Sequence, residues 1–200
     1  MITWRAVPVF LLLVTLCASL AAADPLLPDQ LVKTSVEEVR EILRGEGEVE
    51  ALSDLVYDSV AEHFDFEAMT RLAVGKYWRG AETADQEALV CEFRTLLVRT
   101  YSVALQGFDE YQINYRPLDL DADAKQTTVQ TLVSKDGGKP IRMDYRMIAR
   151  DDGWKVYDVL VDGVSLVVNY RSLFGSTVEK SGMEGLIRLL REKNAERKTG

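Results

Sequence analysis

The chain has 200 residues, 28% of them charged, and a formal net charge of −8. This length fits one domain with a sizeable hydrophobic core. The excess of negative charge argues against nucleic acid or an anionic membrane face as the main partner, because both require a basic surface.

The first 23 residues have the pattern of a secretory signal peptide. Arg5 supplies a short positive region, Val7–Leu16 an apolar core, and Ala21-Ala22-Ala23 a cleavage site. The apolar run is shorter than the roughly 20 residues that a membrane-spanning helix needs. We therefore expect residues 1–23 to be removed and residues 24–200 to be exported as a single soluble domain. Cys91 is then the only thiol, which excludes an intramolecular disulfide.

Helical periodicity dominates the first half of the chain. Two apolar runs at helical spacing precede residue 61, and Gly45-Glu46-Gly47 separates them. Asp65 can cap a third helix that ends near Gly75, and Thr83-Ala84-Asp85-Gln86 has the pattern of a capping box that starts a longer one. The predicted apolar stripes are Val32, Val36, Val39 and Leu43; then Leu52, Leu55, Val56 and Val60; and, in the longest helix, Leu89, Phe93, Leu96, Leu97, Tyr101, Ala104 and Leu105.

Alternation with a period of two predicts strands after residue 110. Asp151-Asp152-Gly153 offers a three-residue hairpin loop with glycine in the left-handed position. A two-residue loop would place Asp158 beside Met147 on the apolar face, so the longer loop is preferred. The resulting register sets Arg150 opposite Trp154; it then pairs Met147 with Tyr157, Tyr145 with Val159 and Met143 with Val161 on one face, and Arg146 with Asp158 and Arg142 with Asp162 on the other.

Two further strands and a C-terminal helical segment complete the predicted fold. Asp136-Gly137-Gly138 permits an earlier hairpin that adds Val129, Thr131 and Val133 to the apolar face, and Tyr111, Ile113 and Tyr115 extend it to a fourth strand. The C-terminal segment is predicted to carry one stripe before Gly182 and another after it: Val164, Val167, Val168, Phe174 and Val178, then Met183, Leu186, Ile187 and Leu190. The fold class is therefore α+β, with N-terminal helices, a curved four-stranded antiparallel meander and a C-terminal helical segment.

Catalytic and metal-binding patterns are weak. His63, the sole histidine, is interpreted as a structural residue at a helix end, and Ser165 lacks the second glycine of a nucleophile elbow and is interpreted as a helix-start residue. Asp119, Asp121 and Asp123 mimic the start of a calcium loop, but the glycine and bidentate-glutamate positions hold other residues. Cys91 is interpreted as an inert, half-buried thiol, and no cofactor or metal is expected.

Two long blocks of sequence resemble a known family. The first contains Phe64-Asp65-Phe66-Glu67-Ala68-Met69-Thr70-Arg71-Leu72 and Gly75-Lys76-Tyr77-Trp78-Arg79-Gly80; the second contains Trp154-Lys155-Val156-Tyr157-Asp158-Val159 and Gly163-Val164-Ser165-Leu166-Val167-Val168-Asn169-Tyr170-Arg171-Ser172. In this order they resemble the MlaC or toluene-tolerance family, the periplasmic phospholipid-binding component of the system that maintains lipid asymmetry. The resemblance covers nearly all of the chain after the first two dozen residues.

The resemblance implies an NTF2-like fold with an apolar cavity for acyl chains between the sheet and the helices. Combined with the register above, it predicts that the cavity is lined by Leu97, Tyr101, Val129, Met143, Tyr145, Met147, Tyr157, Val159, Val164, Val167 and Phe174. Basic residues near apolar stripes, Lys76, Arg79 and Arg99, are candidates for the vicinity of the headgroup, with weak headgroup recognition expected.

The function implied is a monomeric phospholipid carrier in the periplasm of a Gram-negative bacterium. Its implied partners are an outer-membrane lipoprotein–porin complex and an inner-membrane ABC transporter with an MCE-domain subunit. Two alternatives stay open at this point. One is an NTF2-like isomerase or esterase, which would need an acid on the inner face of the sheet, and the other is an adaptor domain without a ligand.

Overall fold

The computed structural model describes residues 26–44, 55, 58–102 and 110–196. The predicted signal peptide, the Gly45-Glu46-Gly47 break and the apolar residues Leu52, Val56, Ala104 and Leu105 lie outside them. The elements, in chain order, are α1 (Pro28–Arg44), α2 (Phe66–Val74), a 3₁₀ helix (Gly75–Gly80), α3 (Thr83–Ser102), β1 (Tyr111–Tyr115), β2 (Gln126–Lys135), β3 (Ile141–Arg150), β4 (Gly153–Val161), β5 (Val164–Ser165) and α4 (Leu166–Glu196). In this part of the chain no helix is both long and apolar enough to cross a membrane.

The strands form an antiparallel sheet in the order β1-β2-β3-β4-β5, which confirms the α+β prediction. The sequence predicted four strands, and the described residues contain a fifth. Val164 was assigned to the C-terminal helical segment, but it pairs with Val161 in β5. The difference arises at the turn, where Asp162 (φ 48°) and Gly163 (φ 84°) both have positive φ and return the chain alongside β4 before the helix starts.

The β3–β4 hairpin corrects part of the predicted register. Arg150 pairs with Gly153 rather than with Trp154, because the loop contains only Asp151 and Asp152. A bulge between Arg146 and Met147 then absorbs one residue of β4, so Met147 lies opposite Val156 and not Tyr157. Beyond the bulge, the predicted pairs hold. They are Arg146 with Asp158, Tyr145 with Val159 and Met143 with Val161.

The bulge explains how a two-residue loop is compatible with a wholly apolar sheet face, which had been the reason to prefer the longer loop. A two-residue loop without a bulge would have brought Asp158 to the apolar face, whereas an extra residue in β4 restores the alternation of faces. The β2–β3 hairpin follows the prediction without such a shift, since Val129 pairs with Tyr145 and Thr131 with Met143.

Helix termini follow the predicted capping residues at three of four places. The Ala68 N–H donates to Oδ1 of Asp65 (2.8 Å) at the start of α2, and Gly75 ends this helix with φ 64°. Ser165 Oγ accepts from the Val168 N–H (3.0 Å), which confirms its helix-start role. At α3 the predicted capping box is not formed by Gln86, whose side-chain amide instead donates to the carbonyl of Trp78, in the preceding 3₁₀ helix, and to that of Ala81, just after this helix.

Buried apolar side chains fall into two clusters. The helical core joins α2, the 3₁₀ helix, α3 and α4 and contains Met69, Ala73, Val74, Trp78, Leu89, Phe93, Leu96, Leu97, Val167, Phe174, Leu186, Ile187 and Leu190. The sheet core joins α1 to the sheet and contains Leu31, Val32, Val129, Met147, Val156 and Val159. Phe64, half-buried, packs against both clusters.

The buried apolar stripe of the C-terminal helical segment is narrower than predicted. Val167 and Phe174, seven residues apart, are buried, whereas Val164 and Val168 are exposed at 63% and 53%. Val168 follows Val167 by one residue and is therefore turned about 100° away from the buried line. Cys91, predicted to be half-buried, is an exposed free thiol on α3.

Candidate functional site

The inner face of the sheet is defined here by Val129, Met143, Tyr145, Met147 and Val159. Val129, Tyr145 and Val159 form one row across three strands, and Met143 lies in the next row. Met147, at 0% exposure, and Val129, at 1%, are among the most completely buried side chains described. Because alternate residues of a strand share a face, these five residues lie on one face of the sheet, as the register predicted; that they line a cavity stays a prediction.

Helix α1 covers one part of the inner face and leaves another open. Leu31 and Val32 of α1 pack in the sheet core with Met147, Val156 and Val159. The row of Met143 continues to Val161 and Val164, which are 42% and 63% exposed, and Ile141, two residues before Met143 on β3, is 39% exposed. The inner face therefore passes from a covered core into an open apolar surface.

A polar spot lies within this apolar face. Burial raises the pKa of Tyr145 to about 12; neighbouring Tyr115 also raises this pKa by a smaller amount, whereas a hydrogen bond with Thr131 lowers it. The Thr131 hydroxyl donates to the Met143 carbonyl (2.9 Å). Burial likewise raises the pKa of Tyr115. These phenols are therefore neutral at physiological pH, and the spot offers hydrogen bonds without placing a charge among apolar side chains.

The lining residues that were predicted to come from the helices lie away from the inner face of the sheet. Leu97, Val167 and Phe174 are buried in the helical core, which is a cluster separate from the sheet core. Tyr101, on the last turn of α3, is 40% exposed. Tyr157 occupies the bulge of β4 and is half-buried. The structure therefore unites the sheet residues with one another but does not bring them together with the helical ones, and a common cavity lining stays a prediction.

The three basic residues assigned to the headgroup vicinity do not form one site. Lys76 is exposed and lies 3.5 Å from Glu179, over the ring of Tyr77. Arg79, also exposed, ends the 3₁₀ helix just before α3 begins. Arg99 lies near the opposite end of α3 and donates to the Asn194 carbonyl (2.5 Å). At about 1.5 Å per residue, Arg99 lies about 24 Å along the axis of α3 from Thr83, at the end of this helix away from Arg79.

Acidic groups on the sheet lie on the face opposite the inner face. Asp158, 2% exposed, accepts from the Val167 N–H (3.2 Å), the Ser165 hydroxyl (2.7 Å) and Arg146 (3.4 Å). Asp144, also 2% exposed, accepts from Nε and Nη2 of Arg142. The predicted Arg142–Asp162 pair takes a different form, in which the Arg142 N–H donates to Asp162 (3.0 Å) while its guanidinium turns to Asp144. These carboxylates hold strands and helices together and do not reach the inner face.

Residues with possible chemical roles have structural partners. His63 lies 3.8 Å from Glu38 of α1, and its carbonyl accepts from the Val156 N–H. The Asp119–Asp123 segment forms a turn in which the Ala124 N–H donates to the Asp121 carbonyl. Across the described residues, no group of three or more His, Cys, Asp or Glu side chains could hold a metal ion.

Two surface pockets are lined entirely by described residues. One, of about 290 Å³, lies between α3 and the end of α4, and its walls include Glu92, Arg99 and Asn194. The other, of about 390 Å³, lies along α1 beside Lys33 and Glu37. Neither is lined by a residue of the inner face, so neither corresponds to the predicted cavity.

Sequence reasoning missed the residues that cover and connect the inner face. Leu31 and Val32 were recognisable as an apolar run, but no periodicity shows which face of the sheet a helix will cover. Phe64 belongs to the first block of the family resemblance, which does not show that it lies between two clusters. The Val156 N–H donates to His63, and the Asp65 N–H donates to Val156, so this short segment runs parallel to β4 and carries Phe64 to the junction of the two clusters.

The fold and this face place the protein in the class of α+β proteins with an open antiparallel sheet, one apolar sheet face and helices packed against the sheet. The model of the family described as MlaC protein matches residues 33–192, and the chain belongs to that family. A solved structure of a phospholipid-binding protein from Ralstonia solanacearum, in complex with a phospholipid, is 31% identical, with a TM-score of 0.77. The alignment covers 84% of this chain and 97% of that one.

Proposed function

We propose that this protein binds phospholipid in the periplasm and carries it between membranes. The observation that carries the proposal is the apolar inner face, which is partly covered by α1 and has neutral hydroxyls but no carboxylate. Its relation to the MlaC family and its likeness to a structure with bound phospholipid both point to a binding or transport protein.

The proposed acyl-chain site begins at the open part of the inner face, near Met143 and Val161. The chains extend between the sheet core and the helical core, where Phe64 packs against both. Separation of the two clusters would then line one cavity with the sheet residues on one side and with Leu97, Val167 and Phe174 on the other. Flexible thioethers such as Met143 and Met147 suit chains of varied shape.

The energetics of apolar burial suit a carrier. Removing acyl methylenes from water contributes about 0.8 kcal/mol each, so a chain of about 15 carbons gains on the order of 12 kcal/mol. This gain is comparable to what the same chain gains in a bilayer. A lipid can therefore be held firmly against water and still exchange with a membrane, because the free energy of its acyl chains is similar in the two apolar environments.

The proposed partners are an outer-membrane lipoprotein–porin complex and an inner-membrane ABC transporter with an MCE-domain subunit. The signal-peptide pattern of residues 1–23 supports the proposal of a periplasmic location, as does membership of the MlaC family. Directional transport requires an energy source, which the transporter would supply. The headgroup is proposed to be recognised weakly, because Lys76, Arg79 and Arg99 lie too far apart to surround one phosphate.

The rival isomerase requires an acid next to a tyrosine on the inner face. The buried carboxylates Asp144 and Asp158 lie on the opposite face and accept hydrogen bonds there. Tyr145 consequently has no carboxylate partner on its own face among the described residues. An adaptor without a ligand is distinguished by experiment, since a carrier must retain lipid through purification.

The direct test is mass spectrometry of lipid extracted from the purified protein. We expect phospholipid in the wild type and little or none in Met143→Asp, because a carboxylate on the inner face is costly to bury beside acyl chains. Gln112→Asp is the matched control, since Gln112 is exposed and lies on the opposite face of β1. Normal lipid content in Met143→Asp, with the fold checked by circular dichroism, would rule out this site.

A further inference from the structure

A pocket of about 290 Å³ lies where the last turn of α4 packs against α3. It is lined by Glu92, Thr95, Arg99, Arg191, Asn194 and Ala195. None of these residues belongs to the inner face of the sheet, so the pocket is separate from the proposed acyl-chain site. Ligand pockets range upward from about 300 Å³, and the size of this one therefore fits a small polar molecule rather than a whole phospholipid.

Asn194 supplies a buried acceptor at this pocket. The residue is only 6% exposed, and its Nδ2 group donates to the Glu92 carbonyl (3.0 Å) and to Oε2 of Glu92 (2.8 Å). Both of these atoms only accept hydrogen bonds, so the amide cannot be reversed and Oδ1 is held on the side away from them. Oδ1 is buried and accepts no hydrogen bond from any described residue. Because a buried acceptor is costly to leave unpaired, a donor that enters the pocket is favoured there.

Arg191 supplies donors to the same pocket. Its Nε donates to Oε1 of Glu92 (3.1 Å), and its side chain is 62% exposed. The two terminal nitrogens of this guanidinium donate to no described residue, and such a fork matches the oxygens of a phosphate or carboxylate. Glu92 thus holds Arg191 with one carboxylate oxygen and Asn194 with the other. The donors of Arg191 and the acceptor of Asn194 therefore lie on opposite sides of one carboxylate.

The charges at this pocket favour a ligand that carries both signs. Helix α4 ends at Glu196, so its last carbonyls and the negative end of its dipole lie beside Asn194. A lone anion would face these carbonyls and leave Oδ1 of Asn194 without a donor. A lone cation would face the positive charges of Arg99 and Arg191. A zwitterion avoids both conflicts, because each of its charges meets the opposite one.

We propose that this pocket binds a phosphoethanolamine group, whose primary ammonium donates to Oδ1 of Asn194 and whose phosphate accepts from the terminal nitrogens of Arg191. The two-carbon spacer of this group separates the charges, as the position of Glu92 between the two subsites requires. The group can come from the free compound or from a phosphatidylethanolamine headgroup at a membrane surface. The site goes beyond the proposed carrier function, which places only the acyl chains, at the inner face.

A series of small probes tests the recognised chemistry. In an NMR titration, phosphoethanolamine should shift the side-chain amide signals of Asn194. Phosphocholine, glycine and inorganic phosphate should each bind about tenfold more weakly. Phosphocholine lacks the N–H donors, glycine carries both charges on one carbon, and phosphate lacks the ammonium. Equal binding of phosphocholine would refute the proposal, as would the absence of phosphoethanolamine binding at millimolar concentrations.

Three variants test the position of the site. Arg191→Gln should weaken phosphoethanolamine binding by about tenfold, and Ala195→Phe should abolish it by filling the pocket from the exposed last turn of α4. Arg188→Gln is the matched control, because Arg188 is an exposed arginine one turn earlier that does not line the pocket. Circular dichroism checks the fold of each variant. Unchanged affinity in folded Arg191→Gln or Ala195→Phe would overturn the assignment.

Vesicles identify the source of the group. Phosphatidylcholine vesicles with and without phosphatidylethanolamine are compared by co-sedimentation with the wild type and Arg191→Gln. Binding that requires both phosphatidylethanolamine and Arg191 would support the proposal and assign the membrane headgroup. Binding of free phosphoethanolamine alone would support it and assign the free compound. Lipid that co-purifies with the protein should be unchanged in Arg191→Gln, and its loss would contradict the separation of this pocket from the acyl-chain site.

Discussion

At the scale of single residues, Asp158 links the sheet to the C-terminal helix. Its side chain lies on the face opposite the inner face and accepts from the Val167 N–H, at the start of α4, and from the Ser165 hydroxyl. Arg146 of the neighbouring strand β3 forms an ion pair with the same carboxylate. One buried carboxylate thereby satisfies a helix N-terminus, where orphan N–H groups and the helix dipole favour negative charge.

Replacing Asp158 should be among the more destabilising polar substitutions in this protein. Asp158→Ala leaves the Val167 N–H without its acceptor and Arg146 without its partner, so the free energy of unfolding should fall by about 2–4 kcal/mol. Urea denaturation measures this change. Asp151→Ala, in the exposed β3–β4 turn, is the control and should change stability by less than about 0.5 kcal/mol. Equal effects of the two substitutions would contradict the assigned role.

At the scale of elements, Gly182 divides α4 into two parts. Its backbone (φ 69°, ψ −174°) is outside the helical region, in conformational space that is essentially restricted to glycine. The change of direction lets Phe174, before it, and Leu186, after it, both lie fully buried in the helical core. The sequence pattern placed a break here, and the structure shows that the break serves packing on both sides.

Gly182→Ala should destabilise the protein by about 1–3 kcal/mol through backbone strain. A Cβ at this position would meet no other atom within 4 Å, so steric conflict with neighbours does not contribute. Gly80→Ala is the matched control, because a Cβ there also meets open space but φ is not positive. Thermal or urea unfolding of the two variants separates the cost of the positive φ from any general effect of adding a methyl group. A neutral Gly182→Ala would show that the kink is not needed for the fold.

At the scale of the whole molecule, the described residues form two clusters joined at Phe64. The helical core and the sheet core each have their own buried residues, and the backbone hydrogen bonds between His63, Asp65 and Val156 tie them together beside Phe64. This junction is where the proposed acyl chains would separate sheet from helices. A carrier needs such a boundary, because cargo must enter without unfolding either cluster.

Phe64→Ala should weaken the coupling between the two clusters. Loss of a large aromatic side chain should cost about 3 kcal/mol or more, and unfolding should no longer appear two-state. Trp78 reports on the helical core and Trp154 on the sheet core, so single replacements of each by Phe give separate fluorescence probes. We expect coincident urea transitions in the wild type and distinct ones in Phe64→Ala. Coincident transitions in both would indicate that other contacts carry the coupling.

Three features were predictable from the amino-acid sequence: the fold class, the capping residues Asp65 and Gly75, and the alternation that places Val129, Met143 and Tyr145 on one face. These features depend on local spacing and backbone preferences, which a single sequence contains. The family resemblance was likewise readable from the two blocks, and the comparisons confirm it.

Three features became visible only in the folded chain: the bulge beside Met147, the short strand at Val164 and the division of the predicted lining residues between two clusters. A bulge changes the register at a small local cost, so hairpin loop length alone could not exclude it. Likewise, an apolar stripe shows that a helix is buried but not against which surface, because hydrophobic attraction has no direction. Leu97, Val167 and Phe174 satisfied the pattern for either cluster, and packing assigned them to the helical core.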